Sequence, residues 1–142
     1  ASDRAAIGQT FNRIGLAPDW GGSWLVPRLV GRARAAELFF LAEMVGAVEA
    51  ERIGLVSRVV PHGELEDTVR EMATRLAAKP ALALALAKEA LRRSLSADLD
   101  EMLDFEVRAQ DEAFRSRDAL EGTRAFMEKR SPRFGADGGD VG

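Results

Sequence analysis

Apolar residues recur at two different spacings in this chain, and the change falls near residue 61. From Glu64 onward, Leu65, Val69, Met72, Ala73 and Leu76 follow the 3.6-residue period that turns one face of a helix toward a core. Lys79-Pro80 closes that helix, because the residue before a proline is driven out of helical geometry. A second helix is predicted from Pro80, placed at the first helical position where a missing N–H costs nothing, to about residue 95. Asp98 with Glu101 three residues on forms a capping-box pattern opening a helix to about residue 115, and Asp118 with Glu121 repeats the device for a last helix ending near 129. In the former, Leu99, Met102, Leu103 and Phe114 make an apolar stripe that reads as a subunit contact.

Before residue 61 the pattern is different, because glycines and prolines cut the chain into short apolar pieces. Residues 5–10 and 55–60 read as short strands, the second rich in valine and bounded by Gly54 and Pro61. Between them about three short helices are predicted, over 20–30, 32–44 and 47–53, with Gly31 and Gly46 as stops. No internal repeat at a solenoid period is present. Two strands and six or seven helices leave a sheet too small to be stable alone, so the rest of that sheet is expected in another chain or in sequence missing from this one. The predicted organisation is 1–61, then a helical region over 62–134, then a Gly/Asp-rich, disordered stretch over 135–142.

Composition narrows the chemistry. The 142 residues are 46% hydrophobic and 30% charged, enough for one globular unit, and the net charge of -3 provides no positive field for nucleic acid or an anionic membrane. There is no cysteine and only one histidine, His62, so thiol catalysis, disulfides and a multi-histidine metal cage are excluded, and a Ser-His dyad would have to use His62. His62 sits at a strand-to-helix turn and is read as structural. No apolar run spans a membrane, and the opening ASDRAAIGQT has neither an initiator Met nor a signal-peptide layout. That opening reads like the middle of a domain, and the expected compartment is the cytoplasm.

The densest chemical signal is the segment IGLAPDWGGSWLVPRLVG, residues 14–31. Pro18 presets a turn, Gly21 and Gly22 let backbone come close to another group, and a helix then begins with unsatisfied N–H groups. Asp19 stands just ahead of that helix, where a carboxylate serves as a cap, a dipole partner or a catalytic base. Trp20 and Trp24, four residues apart, are placed on one helical face, either packed in the core or lining a pocket for a bulky acyl group. Phe11, Phe39 and Phe40 are read as core.

Taken with the helix RARAAELFF, the string AVEAERIGLVSRVVP and the closing EGTRAFMEKRSPRF, this segment resembles the crotonase (enoyl-CoA hydratase/isomerase) superfamily over nearly the whole chain. The resemblance implies an α/β spiral of ββα turns followed by a helical region that assembles trimers, often paired into hexamers. The present chain corresponds to the last βα units, over 1–61, and the mostly α C-terminal region. It implies an acyl-CoA thioester as substrate, with coenzyme A entering as part of it, no metal and no covalently bound cofactor, and a role in fatty-acid or phenylacetate degradation. The family's first glutamate and its main oxyanion-hole glycine would lie ahead of Ala1.

The second hydratase glutamate follows Gly-Gln-Pro in the family. Here the matching stretch is Gly8-Gln9-Thr10-Phe11, which puts Phe11 at the glutamate position, and a phenylalanine moves no proton. The motif looks most like the branch related to ring-1,2-epoxyphenylacetyl-CoA isomerase, in which the matching aspartate handles the proton. That implies Asp19 as acid/base, with Phe11, Trp20, Gly21, Gly22 and Trp24 against the substrate. Phe126 and Lys129, in the Phe-Met-Glu-Lys-Arg string, match residues that hold the adenine and 3′-phosphate of CoA, often across a subunit interface. Lys129 is one of three lysines in the chain, although a positive charge also completes a helix C-terminus. Two alternatives stay open: a hydratase with a different acid/base pair, and a non-catalytic assembly partner that completes itself with an N-terminal crotonase segment.

Overall fold

The computed structural model describes residues 1–135. It contains two compact units, Ala1–Arg70 and the chain from Glu71 onward. In chain order the elements are β1 (Ala6–Ile7), α1 (Gly22–Phe40), β2 (Val45–Gly46), α2 (Ala47–Arg52), α3 (Leu65–Ala77), α4 (Ala81–Arg93), α5 (Leu99–Phe114) and α6 (Arg117–Met127).

In the first unit β1 and β2 pair antiparallel, Ala6 opposite Gly46 and Ile7 opposite Val45. Gly8 follows β1 in close contact with its neighbours: a Cβ there would lie 2.6 Å from the Met44 sulfur and 3.3 Å from the Glu43 carbonyl, so Met44 would have to move. Val26, Ala35 and Leu38 of α1 are buried, with Val30, Phe39, Val45, Ile53 and Leu55 packed on them. The expected break at Gly31 is real: α1 runs to both sides of it, but Gly31 itself takes φ 78, ψ 160, a conformation open to glycine alone. The helix stops at Phe40 rather than 44 because Ala42 turns left-handed, at φ 53.

Neither predicted strand survives at its expected length. Residues 5–10 reduce to Ala6–Ile7, and the chain then coils into a 3-10 turn over Thr10–Ile14 that ends at left-handed Gly15. Residues 55–60 form no strand, because their N–H groups are committed elsewhere: Leu55 and Val56 donate to the Ala50 carbonyl at 2.8 and 3.2 Å, and Val59 donates to the Glu51 carboxylate at 2.9 Å. Only Val60 bridges, in parallel, to Ser2.

In the second unit the capping box at α5 is complete. Asp98 accepts the Glu101 N–H at 2.9 Å, and Glu101 accepts the Asp98 N–H at 3.2 Å. Pro80 serves as the residue just outside α4 rather than its first helical residue. At α6 the cap is Ser116, whose hydroxyl accepts the Ala119 N–H at 3.1 Å, and not Asp118. Asp118 already lies within the helix and accepts the Gly135 N–H at 3.1 Å. Phe105 and Ala125 are buried here, with the Arg93 guanidinium 4.8 Å from the centre of the Phe105 ring. Leu99, Leu103 and Phe114 of the α5 stripe are exposed and Met102 is half-buried. The stretch read as disordered lies, Gly135 apart, outside the described residues.

Candidate active site

The chain from Gln9 to Gly22, which carries the first half of the segment singled out in sequence, folds as a loop whose two ends meet. At its base the Gln9 side chain lies against Gly22, so closely that a Cβ at 22 would sit 2.9 Å from Gln9 Oε1. That oxygen is buried without a hydrogen-bond partner, the one such side-chain atom among the described residues. Gln9 entered the sequence reading only as part of the Gly8-Gln9-Thr10-Phe11 match, not as a residue of the site. Above this base the 3-10 turn presents half-buried Phe11, and Asn12 Nδ2 donates to the Phe40 carbonyl at 2.8 Å, tying the turn to the far end of α1.

The chain then reaches Asp19 through Pro18 and reverses. Gly22 N–H donates to the Asp19 carbonyl at 2.7 Å, with Trp20 at φ 53 and Gly21 at φ 76 between them. Two successive left-handed residues closed by this bond make a type I′ turn, whose first central position favours Asn, Asp or Gly. A tryptophan there is strained, and its indole gains little from packing: Trp20 is 92% exposed. The expectation that Trp20 and Trp24 share a helical face is therefore wrong, because Trp20 precedes the helix. Trp24 lies in the first turn of α1, 40% exposed, with the Arg28 guanidinium stacked 3.8 Å from its ring centre and donating to its carbonyl at 2.9 Å. Phe40, expected in the core, is 72% exposed, whereas Phe39 packs on the core.

The structure removes one of the readings of Asp19, the cap. The residue at the N-cap of α1 is Gly21, and no side chain caps this helix. Asp19 is exposed, and among the described residues its carboxylate makes no hydrogen bond or ion pair. It is thus not the cap. Phe11, Asp19, Trp20, Gly21, Gly22 and Trp24 all stand on this one loop and the turn that follows it.

His62 fastens the start of the chain to the turn before α3. Its Nδ1 lies 3.0 Å from Ser2 Oγ, and its backbone N–H donates to Asp3 Oδ1 at 2.9 Å. The Ser2 hydroxyl also accepts the Arg4 N–H at 3.1 Å, so this contact pins the first residues to the turn before α3. No cluster of metal-ligating residues occurs among the described residues, and none of their helices is long and apolar enough to cross a membrane.

Phe126 and Lys129 belong to the second unit. Phe126 is 84% exposed at the end of α6, and Lys129 is exposed at φ 54 in the turn beyond. Two backbone bonds shape this turn, Lys129 N–H to the Phe126 carbonyl at 3.2 Å and Arg130 N–H to the Ala125 carbonyl at 3.0 Å. The second is the long bond of a Schellman ending, in which the left-handed place is usually glycine. Behind it, Glu121 accepts both Nη atoms of Arg130, at 2.6 and 2.9 Å, and the Arg133 N–H at 2.9 Å. The Arg130 guanidinium and the Arg133 N–H hold the Glu121 carboxyl down at about 2. The Phe134 ring then packs over Gly122.

Comparison with known proteins shows the family to which this chain is related. Residues 1–137 match the enoyl-CoA hydratase/isomerase family. The probable enoyl-CoA hydratase of Rhodobacter capsulatus is 46% identical over 134 residues, 94% of this chain and 52% of that protein. The 1,2-epoxyphenylacetyl-CoA isomerase of Escherichia coli is 41% identical over the same share of this chain and 51% of its own. The crystal structure of an enoyl-CoA hydratase/isomerase from Cupriavidus metallidurans superposes with a TM-score of 0.90 at 40% identity, covering 94% of this chain and 51% of that one. The chain spans about half the length of the curated relatives it matches, and its mostly helical build with a minimal sheet is that of the C-terminal portion of the crotonase fold. It belongs to the enoyl-CoA hydratase/isomerase family.

Proposed function

We propose that this chain forms part of an enzyme that moves a double bond in an enoyl-CoA thioester, with Asp19 as the group that carries the proton. The thioester carbonyl, held by backbone N–H groups from outside these residues, becomes an enolate oxygen when a proton leaves carbon. Asp19 takes that proton and returns it to a different carbon of the same acyl group, so one carboxylate suffices and nothing is added or lost. Phe11, at the position of the second hydratase glutamate, offers no proton and leaves an apolar wall instead. Trp20, Gly21, Gly22 and Trp24 flank the acyl group. Phe126 and Lys129 meet the adenine and 3′-phosphate of CoA, a reading supported by the left-handed backbone at Lys129, where glycine would be less strained. Three or six copies of the complete polypeptide, or this chain with a complementary N-terminal crotonase segment, complete the site.

The observation that carries this reading is that Asp19 is exposed and caps no helix, while a strained turn fixes the backbone beside it. In the full-length enzyme, Asp19→Asn should lower turnover on a panel of enoyl-CoA esters by about 10²- to 10⁴-fold, the range for losing a positioned acid/base, with KM little changed. Retained isomerase activity in that variant would end the proposal. The names of the relatives divide between hydratase and isomerase, so the product distinguishes the second reading. Incorporation of one solvent oxygen from ¹⁸O-labelled water identifies a hydratase using other acid/base groups.

A further inference from the structure

The turn that bears Lys129 is more tightly held than helix termination requires. A Schellman ending is complete with the two backbone bonds already described, yet here the residue after Lys129 is fixed a second time through its side chain. Arg130 Nη1 and Nη2 reach Glu121 Oε1 and Oε2 at 2.6 and 2.9 Å, Arg130 Nε reaches Glu128 Oε2 at 2.6 Å, and Nη1 also donates to the Ser131 carbonyl at 3.2 Å. Glu121 reaches further still, to the Arg133 N–H at 2.9 Å. A single exposed ion pair contributes little to stability, but a two-pronged arginine–carboxylate pair fixes direction as well as distance. The fork runs from the middle of α6 to the residue adjoining a left-handed lysine, and strained backbone persists where its surroundings over-determine it. Phe126 and Lys129 flank the same turn and are both exposed.

We propose that Glu121 is a positioning residue for the nucleotide end of coenzyme A: through Arg130 it holds the turn in which Phe126 and Lys129 face the ligand. The inference rests on the reading of those two residues as CoA contacts, and the test separates the two ideas. Calorimetric titration of the full-length protein with CoA, 3′-dephospho-CoA and pantetheine is carried out on the wild type, Glu121→Gln, Lys129→Ala and the double variant.

Glu121→Gln should weaken CoA by about two- to tenfold, the effect of leaving one long side chain unordered before binding, and leave pantetheine unchanged. Its effect on CoA should shrink in the Lys129→Ala background, because a residue that acts through another is not additive with it. Arg130→Lys, which keeps the charge and loses the fork, should show the same selectivity and stands in if Glu121→Gln does not fold. An equal loss on pantetheine, or a full additive loss on top of Lys129→Ala, would assign Glu121 to fold stability and overturn the proposal. Loss of CoA affinity in Lys129→Ala with none in Glu121→Gln overturns the positioning role alone. Unchanged CoA affinity in Lys129→Ala overturns the underlying reading and the inference with it.

Discussion

Replacing Trp20 by asparagine should make the protein more stable and a poorer binder of its substrate. An L-residue with a Cβ in the left-handed region carries about 1–2 kcal/mol of strain, and asparagine is among the few that tolerate it through local hydrogen bonding. The indole recovers little of that cost, because with 92% of its surface in solvent at most about 20 Å² is covered, or about 0.5 kcal/mol. Asparagine followed by Gly21 is also the pair that a type I′ turn favours. The net gain for Trp20→Asn is about 1 kcal/mol, seen as an upward shift of about 4 °C in thermal denaturation. Asparagine rather than glycine is the informative replacement, since glycine would add unfolded-state entropy of about the same size and mask the relief. With acyl-CoA substrate, the same variant should raise KM with little change in kcat. A loss of stability of 1 kcal/mol or more in Trp20→Asn would refute the argument, because it would mean that the exposed ring holds the turn together rather than being held out by it.

Gly31→Ala should destabilise the first unit by about 1–3 kcal/mol in urea denaturation, since φ 78, ψ 160 admits no side chain although the space around it is open. Ser116→Ala should cost about 1 kcal/mol and Asp118→Ala less, by the same measurement, because the hydroxyl and not the carboxylate caps α6. Acid should unfasten the second unit in a defined window. Glu89, paired with Arg92 and Arg93, and Glu121 are both lowered from 4.5 to about 2, so their contributions are complete above pH 4.5 and disappear as pH falls from there through 2. A Glu89→Gln/Glu121→Gln variant should therefore have a flatter stability profile below pH 4.5, and an unchanged acid limb would contradict the ion-pair assignment.

The helices were readable because their signals are local. The Asp98–Glu101 box closes over three residues, and Gly31 announces its break without help from any neighbour. What the amino-acid order concealed depends on partners remote in sequence or on broken local rules. Valines at 56, 59 and 60 look like a strand until the Ala50 carbonyl and the Glu51 carboxylate take the N–H groups that a ladder would need. Both Ser116 and Asp118 are good caps by type, and what distinguishes them is where the helix starts: Ser116 is extended at φ -76, ψ 152, and Asp118 already lies inside the helix. The position of Trp20 was hidden for the opposite reason, since no propensity argument puts a tryptophan at a left-handed site. That departure from local preference falls beside Asp19, the residue proposed to do the chemistry, which is where sequence logic is expected to fail in an enzyme.

The loop between Gln9 and Gly22 has its own foundation: its ends pack on each other, and its crest is moored by Asn12 to the Phe40 carbonyl. Compact loops built this way behave as modules, because changes between the anchors leave the supporting scaffold untouched. Residues 13–21, between the Asn12 mooring and Gly22, should therefore behave as an interchangeable cassette. Exchanged as a block between relatives, they should bring their own side chains and leave the supporting elements as they are.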